Sequence, residues 1–261
     1  MILVDAHCHL ESEEFADSLA TVLAEAVQAG VRRLVTCAVT PSQWPQSKAI
    51  AQAHPEVAFA LGIHPWFVQE SDLAAISELH GAATCGACAI GEIGLDKKNQ
   101  EPSLDLQIRA FEAQLDVARS INLPVVVHCR GAFNEVLESL KRVGAPEAGG
   151  LLHAFAGSPE LADAFKAMGF SFSMGRSLTY RNSKKREAVL RRIYPERFLL
   201  ETDSPDMPPV EVDSPTNVPA NLVYMLRAAA DILEEPVEQV AAATTRNACN
   251  LFGFKLSELD F

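Results

Sequence analysis

An α/β fold, a single (β/α)8 TIM barrel, is predicted by three features of the sequence. Eight short apolar segments alternate with segments of helical periodicity, the alternation extends over about 230 of the 261 residues, and no linker, low-complexity tract or internal repeat interrupts it. We therefore expect one domain over residues 1–261, with 254–261 as a C-terminal tail. A doubly wound open sheet is the alternative, and periodicity does not separate the two folds.

The apolar runs predict strands at 2–4, 33–39, 57–61, 88–90, 123–127, 149–152, 170–173 and 198–200. Apolar spacing of three and four residues predicts helices at 17–29, 41–53, 72–80, 103–121, 133–142, 159–168, 182–193 and 221–233, followed by two short helices at 236–243 and 245–252. Gly30 ends the first helix as a C-cap glycine does. Pro41 begins the second helix, because the N–H that proline lacks would have no partner in the first turn of a helix.

Composition indicates a globular protein of the cytoplasm. Apolar residues make up 48% and charged residues 21% of the chain. The longest apolar run falls short of a membrane span, and the N-terminus lacks the basic region of a signal peptide. The six cysteines lie mostly in or beside apolar strand segments, as reduced thiols do. We expect a monomer without a membrane partner.

A net charge of −12 argues against a protein that coats nucleic acid by bulk electrostatics. Residues 176–192 reverse this charge, with one acid, Glu187, among seven basic residues: Arg176, Arg181, Lys184, Lys185, Arg186, Arg191 and Arg192. Such a segment is either a solvated helix face or a surface that binds phosphates.

Ionisable residues stand where the predicted strands end. They are His7 and His9 on the first strand, His64 on the third, Glu92 on the fourth, His128 on the fifth, His153 on the sixth and Asp203 on the eighth. Any one of these histidines alone could be a buried side chain satisfied by the backbone. Five on one rim of a barrel, together with two carboxylates, favour a metal site.

Six of these residues form the predicted ligand set: His7, His9, Glu92, His128, His153 and Asp203. Six ligands exceed the needs of one tetrahedral zinc and suit two ions that share a bridge. Glu92, in the middle of the set, is the expected bridge. One ion would take His7, His9 and Asp203, and the other His128 and His153. Positions left open for water and substrate indicate a catalytic site.

Several motifs together resemble the TatD-type deoxyribonucleases of the metal-dependent hydrolase superfamily. They occur in order over essentially the whole chain: Asp5-Ala6-His7-Cys8-His9-Leu10, Gly62-Ile63-His64-Pro65, Gly91-Glu92-Ile93-Gly94-Leu95-Asp96, Leu123 to Arg130, His153-Ala154-Phe155-Ala156-Gly157-Ser158 and Leu200-Glu201-Thr202-Asp203-Ser204-Pro205. The chain departs from the family pattern at Lys97-Lys98, at Ala154 and at 216–219, none of which is a predicted ligand.

The resemblance implies a (β/α)8 barrel that holds two divalent ions and hydrolyses phosphodiester bonds in DNA. It places His64 and Arg130 near the substrate. Arg130 lies two residues past His128 and could form bidentate hydrogen bonds with a phosphate, or it could pair with an acidic side chain of the barrel. His64 would donate to substrate, or it could be a satisfied histidine at a strand end.

We expect hydrolysis by a metal-bridged hydroxide, with Asp203 as general base or as ligand only. The leading hypothesis is a deoxyribonuclease acting as an exonuclease. A small-molecule amidohydrolase or phosphoesterase of the same superfamily is the alternative, and a non-catalytic metal-storing or scaffold protein is a third possibility. Histidine-rich ligation suits Zn, Mn or Ni, whereas the family resemblance suggests Mg.

Overall fold

The computed structural model of the chain describes residues 1–180 and 182–259. Eight parallel strands form one sheet in sequence order: β1 Leu3–Cys8, β2 Val31–Cys37, β3 Val57–Leu61, β4 Ala89–Asp96, β5 Val125–Arg130, β6 Gly150–Leu152, β7 Phe170–Met174 and β8 Phe198–Leu200. The helices are α1 Leu19–Gln28, α2 Trp44–Ala53, α3 Asp72–Ala83, α4 Leu104–Ser120, α5 Phe133–Val143, α6 Pro159–Lys166, α7 Lys184–Ile193, α8 Leu222–Leu233 and α9 Val237–Phe252.

The first and last strands meet at their carboxyl ends. The amide of Asp203 donates to the carbonyl of His7 at 3.0 Å. The buried carboxylate of Asp5 accepts hydrogen bonds from the amide of Thr202 at 2.9 Å and from its hydroxyl at 2.6 Å. The sheet thus closes into a nearly complete barrel surrounded by alternating helices, and the predicted TIM-barrel fold is confirmed.

Three strands extend three or more residues beyond their predicted carboxyl ends. β1 continues to Cys8, β4 to Asp96 and β5 to Arg130. His7, Glu92 and His128 therefore lie within strands instead of just beyond them. β2 begins two residues earlier than expected, because Val31 pairs with Leu3 across the sheet.

The core has two parts. The larger lies between the sheet and the surrounding helices and includes Phe111 and Phe165. The smaller joins strand residues such as Val35 to Phe252 of α9 and to Leu259, which is fully buried. All six cysteines are free thiols. None of the described helices is both long and apolar enough to cross a lipid bilayer.

A single helix, α9, replaces the two short helices expected at 236–243 and 245–252, so that prediction is wrong. The polar residues at the expected break are satisfied without ending the helix. Thr244 donates its hydroxyl to the carbonyl of Val240 at 2.9 Å, and Thr245 donates to Ile2 at 2.8 Å. Since Ile2 precedes β1, α9 covers the amino end of the barrel and leaves the carboxyl end to the polar residues.

Strand β4 lies too close to β5 for side chains at two of its glycines. A Cβ at Gly91 would lie 2.6 Å from the Cβ of Val126, and one at Gly94 would overlap the carbonyl oxygen of His128. Gly94 also has a φ of +144°, which favours glycine. This close approach places Glu92, between the two glycines, beside His128.

Replacing Gly94 by alanine should destabilise the protein by more than about 2 kcal/mol, because the added methyl group overlaps β5 and the backbone angle is unfavourable. Urea unfolding measures the difference. Gly81→Ala is the matched control: Gly81 lies within α3, and apart from its own helix backbone no atom lies within 4 Å of the added Cβ, so its replacement should stabilise by about 0.5–1 kcal/mol. Equal stability changes in both variants would contradict the close packing of β4 and β5.

Candidate metal centre

Four donor atoms meet at the carboxyl end of the barrel and form the first donor group: His7 Nε2, His9 Nε2, Glu92 Oε2 and Asp203 Oδ1. His7 Nε2 lies 3.2 Å from the nitrogen of His9 and 3.4 Å from Glu92 Oε2. It lies 3.3 Å from Asp203 Oδ1. His9 Nε2 lies 3.5 Å from each of the two carboxylate oxygens.

The second donor group is formed by the other oxygen of Glu92, Oε1, together with His128 Nδ1 and His153 Nε2. Their distances to Glu92 Oε1 are 3.1 Å for His128 and 2.8 Å for His153. His64 Nε2 lies 3.3 Å from the same oxygen. The six predicted ligands thus all lie in these two groups, and His64 lies beside them.

The distances fit a metal ion. Bonds of about 2.1 Å in a tetrahedral arrangement put neighbouring donors about 3.4 Å apart. The five measured separations in the first donor group lie between 3.2 and 3.5 Å. Imidazole nitrogen and carboxylate oxygen are also donor types that zinc and manganese accept. The described residues therefore include groups able to hold a metal.

Irregular strands bring two of these donors into position. Regular pairing of β1 with β2 is interrupted between Asp5 and Cys8, where His7 lies. Pairing of β4 with β5 is interrupted between Ile90 and Ile93, where Glu92 lies. Such interruptions turn a side chain away from the direction that strict alternation gives it. These two interruptions in strand pairing allow His7 and Glu92 to converge.

Hydrogen bonds fix which nitrogen two of the imidazoles offer, those of His9 and His128. His9 Nδ1 lies 2.8 Å from the carbonyl of Cys37, so in neutral His9 the proton is on Nδ1 and Nε2 has a free lone pair. His128 Nε2 lies 3.2 Å from Asp96 Oδ2. In neutral His128 the proton is therefore on Nε2, and Nδ1 can bind a metal.

His64 has the opposite arrangement. Its Nδ1 accepts the amide N–H of Trp66 at 3.1 Å. Burial lowers the pKa of His64, which keeps the ring neutral, and the proton of the neutral ring is then on Nε2. His64 therefore presents a hydrogen-bond donor to the centre, where His9 and His128 present lone pairs.

The carboxylates of the centre are ionised. Burial alone would raise the pKa of Glu92, but the imidazoles of His64, His153 and His7 hold it well below its ordinary value. The pKa of Asp203 is also lowered, since hydrogen bonds from His7 and His9 outweigh its burial. Both groups are charged and ready to bind a cation at neutral pH.

Three buried carboxylates beside the centre, Asp5, Asp96 and Glu201, are not among the residues predicted from the sequence. Glu201 accepts hydrogen bonds from the amide of Ala154 at 2.8 Å and from the hydroxyl of Ser173 at 2.5 Å. Its Oε2 lies 3.8 Å from His153 Nδ1. Burial raises the pKa of Glu201 to about 8. All three stand two or four residues from a predicted ligand, which is the signal that could have identified them.

Arg130, the other predicted substrate residue, lies at the edge of the centre. Its side chain is 62% exposed, and its nearest acidic atom is Asp96 Oδ2 at 4.0 Å. This separation is at the limit for an ion pair and leaves most of the guanidinium in solvent.

The basic segment divides into two parts. At the carboxyl end of α7, Arg191 pairs with Glu234 at 2.9 Å and Arg192 with Asp163 at 2.7 Å. Acidic side chains already compensate these two charges. Of the two interpretations of the basic segment, a solvated helix face therefore applies to Arg191 and Arg192.

The beginning of α7 differs. Lys184, Lys185 and Arg186 form no ion pair within 1–180 and 182–259. Because a helix that follows a strand returns antiparallel to it, this first turn lies on the side of the barrel that holds the donor groups. Arg181 lies outside the described residues.

Comparisons with known proteins agree with this centre. A family model described as TatD related DNase matches residues 4–253. The chain is 34% identical over 254 residues to YabD of Bacillus subtilis, named as an uncharacterized metal-dependent hydrolase, with 96% of this chain and 99% of that protein covered. It is 31% identical over 263 residues to tatdn3 of Danio rerio, provisionally named a deoxyribonuclease, with 95% and 96% covered.

Among solved structures, the chain resembles the crystal structure of YjjV, a TatD homologue of Escherichia coli K12. The TM-score is 0.89 at 28% sequence identity, and the superposition covers 96% of this chain and 98% of the other. Fold, donor groups and relatives together define a metal-dependent hydrolase. The chain belongs to the TatD-related DNase family, which confirms the resemblance seen in its motifs.

Metal binding should weaken as the pH falls. Burial lowers the pKa of His128, but hydrogen bonds with Asp96 and Glu92 raise it to about 9. Protonated His128 stabilises the metal-free protein below its ordinary pKa near 6.5, and this contribution is lost as the pH rises through about 9. A cation bound at Nδ1 must displace that proton.

Apparent zinc affinity should therefore rise by up to about tenfold for each pH unit toward about 9. Titration against a chelator of known affinity at about pH 6, 7 and 8 measures it. An affinity that does not change with pH would show that His128 does not bind the ion.

Proposed function

We propose that the protein is a divalent-metal-dependent phosphodiesterase, a deoxyribonuclease that removes nucleotides from single-stranded or frayed ends. The observation that supports this most directly is the position of Glu92, whose two oxygens face two separate donor groups. Two neighbouring cations that share one carboxylate are an arrangement that nucleases and phosphatases use for in-line displacement at phosphorus.

We assign His7, His9 and Asp203 to one ion, His128 and His153 to the other, and Glu92 to both. Bound there, the cations would supply Lewis acidity that lowers the pKa of a water from about 15.7 toward 7 and stabilises charge on the phosphoryl oxygens. The histidine-rich donors suit zinc, manganese or nickel, whereas the resemblance to TatD-type deoxyribonucleases suggests magnesium-supported activity.

Asp203 is assigned the proton transfer. Its Oδ1 faces the two imidazoles of the first donor group, and its side chain is 14% exposed at the opening of the barrel. The carboxylate can thus orient the attacking water and accept its proton. Glu92 is buried and has both oxygens engaged, so it holds the centre together instead of moving a proton.

Arg130 and His64 are assigned to the phosphate. The exposed guanidinium of Arg130 can form two parallel charge-assisted bonds to phosphate oxygens. His64 offers the N–H at Nε2, which points to the centre and can donate to a substrate oxygen instead of Glu92. Lys184, Lys185 and Arg186 then contact phosphates further along the strand.

The test compares substrates of different classes. Protein loaded separately with Zn, Mn, Mg or Ni is incubated with end-labelled single-stranded DNA, with a generic phosphodiester and with a panel of dipeptides. Release of mononucleotides from the labelled end is the expected result. Cleavage of dipeptides alone would favour the small-molecule amidohydrolase, and tight metal binding without any hydrolysis would favour a storage or scaffold role.

His64→Gln should raise KM for DNA by about tenfold or more and leave the number of bound metal ions unchanged, because His64 offers a donor N–H and not a lone pair. The metal content of the dialysed protein, measured together with the kinetics, decides whether His64 contacts substrate or binds metal. Loss of one equivalent of metal would make His64 a ligand.

Neutralising Lys184, Lys185 and Arg186 together by glutamine should weaken binding of single-stranded DNA. The slope of log K against log salt concentration should fall in magnitude by about 2, at about 0.7 for each phosphate that the variant no longer neutralises. The Arg191→Gln, Arg192→Gln double variant is the control, since its charges are already paired with acids. Equal slopes in the wild type and the triple variant would remove this segment from the DNA-binding surface.

A further inference from the structure

Trp66 is an exposed aromatic side chain that lies beside the donor groups. The chemistry assigned above does not use it. Its side chain is 43% exposed, although large aromatic rings usually lie in the core. The other tryptophan, Trp44, is 7% exposed and donates its indole N–H to the carbonyl of Gly62 at 3.0 Å. Trp44 is thus a packing residue, whereas Trp66 presents its ring to solvent.

The indole of Trp66 is held by one edge. Its Nε1 donates to Asp96 Oδ2 at 2.7 Å. The same oxygen lies 3.2 Å from His128 Nε2, the nitrogen opposite the one that faces Glu92. Asp96 therefore fixes the indole and a metal-binding imidazole at the same time. Such a ring loses little conformational freedom when a second ring stacks on it.

The ring also lies close to where a phosphate would bind. Its centroid is 5.1 Å from that of His64 and 5.9 Å from that of His128, in edge-on contact with both. Arg130 approaches Asp96 as well, so an exposed cation stands at the same carboxylate that holds the indole. An aromatic face and a guanidinium next to a cation-binding centre match the two parts of a nucleotide, its base and its phosphate.

We propose that Trp66 is the stacking surface for the base of the nucleotide whose phosphate is cleaved. This inference rests on the proposed nuclease function and adds to it a subsite for a nucleobase. Because every base has a π face, the subsite accepts all four bases and distinguishes a nucleotide from a sugar phosphate that lacks a base. Trp66 thereby contacts substrate without taking part in proton transfer.

The kinetic test uses two single-stranded oligonucleotides that differ only in the terminal residue, thymidine in one and a tetrahydrofuran abasic analogue in the other. The wild type should cleave the thymidine end about tenfold faster in kcat/KM, as expected for the loss of one stacked base. Trp66→Leu should bring this ratio close to one. Trp66→Phe keeps an aromatic face but loses the hydrogen bond to Asp96, and it should retain most of the ratio.

Two further results would overturn the inference. A ratio lost equally in Trp66→Phe and Trp66→Leu would show that the indole acts through Asp96 and His128 and not by stacking. Tyr180 is the matched control on the other side of the opening: it is 45% exposed, and the guanidinium of Arg176 already lies 5.4 Å from its ring centroid. Tyr180→Leu should leave the ratio unchanged, and a loss equal to that in Trp66→Leu would exclude a specific subsite.

A binding measurement separates this inference from the proposed function. Thymidine 5′-monophosphate should quench the tryptophan fluorescence of the metal-loaded wild type, deoxyribose 5-phosphate should not, and Trp66→Leu, which retains only Trp44, should show no quenching. Quenching without cleavage of DNA would support the base subsite and contradict the proposed nuclease function. Cleavage of DNA with no quenching and an unchanged ratio in Trp66→Leu would reject the subsite and leave the nuclease.

Discussion

The structure depends on one buried carboxylate that is shared between two sets of imidazoles. Glu92 is 2% exposed, and isolated burial of its charge would cost several kcal/mol. Nitrogens on both sides of the carboxyl group compensate that cost. The glycines at 91 and 94 let β4 approach β5 closely enough to put the carboxylate there. The rim of the barrel is thus built around a negative charge that needs positive partners on two sides.

Hydrogen bonds outside the donor groups give chemically identical side chains different roles. The carbonyl of Cys37 and the carboxylate of Asp96 turn a lone pair of His9 and His128 toward the centre. A backbone N–H turns the donor of His64 toward it. Such partners commonly set both the orientation and the basicity of metal-binding histidines. The partner of the imidazole's second nitrogen therefore determines whether the ring presents a lone pair or a hydrogen-bond donor to the centre.

Much of this arrangement could be predicted from the order of residues along the chain. In a parallel barrel, every strand delivers its carboxyl end to one rim, so residues as distant as His7 and Asp203 could be expected to meet. The irregular pairing that reorients His7 and Glu92 depends on neighbouring strands and leaves no local signal. The continuity of α9 has no local signal either, since Thr245 bonds to a residue at the other end of the sequence.

The junction of β8 with β1 also determines when the centre can exist. Two of its imidazoles come from the first strand, and the backbone of Asp203 bonds to the carbonyl of His7. During synthesis, nearly two hundred residues separate the appearance of these partners, and until the last strand docks the early histidines have no aspartate beside them. Assembly of the full set of donor side chains is therefore a late event in the maturation of the protein, and it requires the closed barrel.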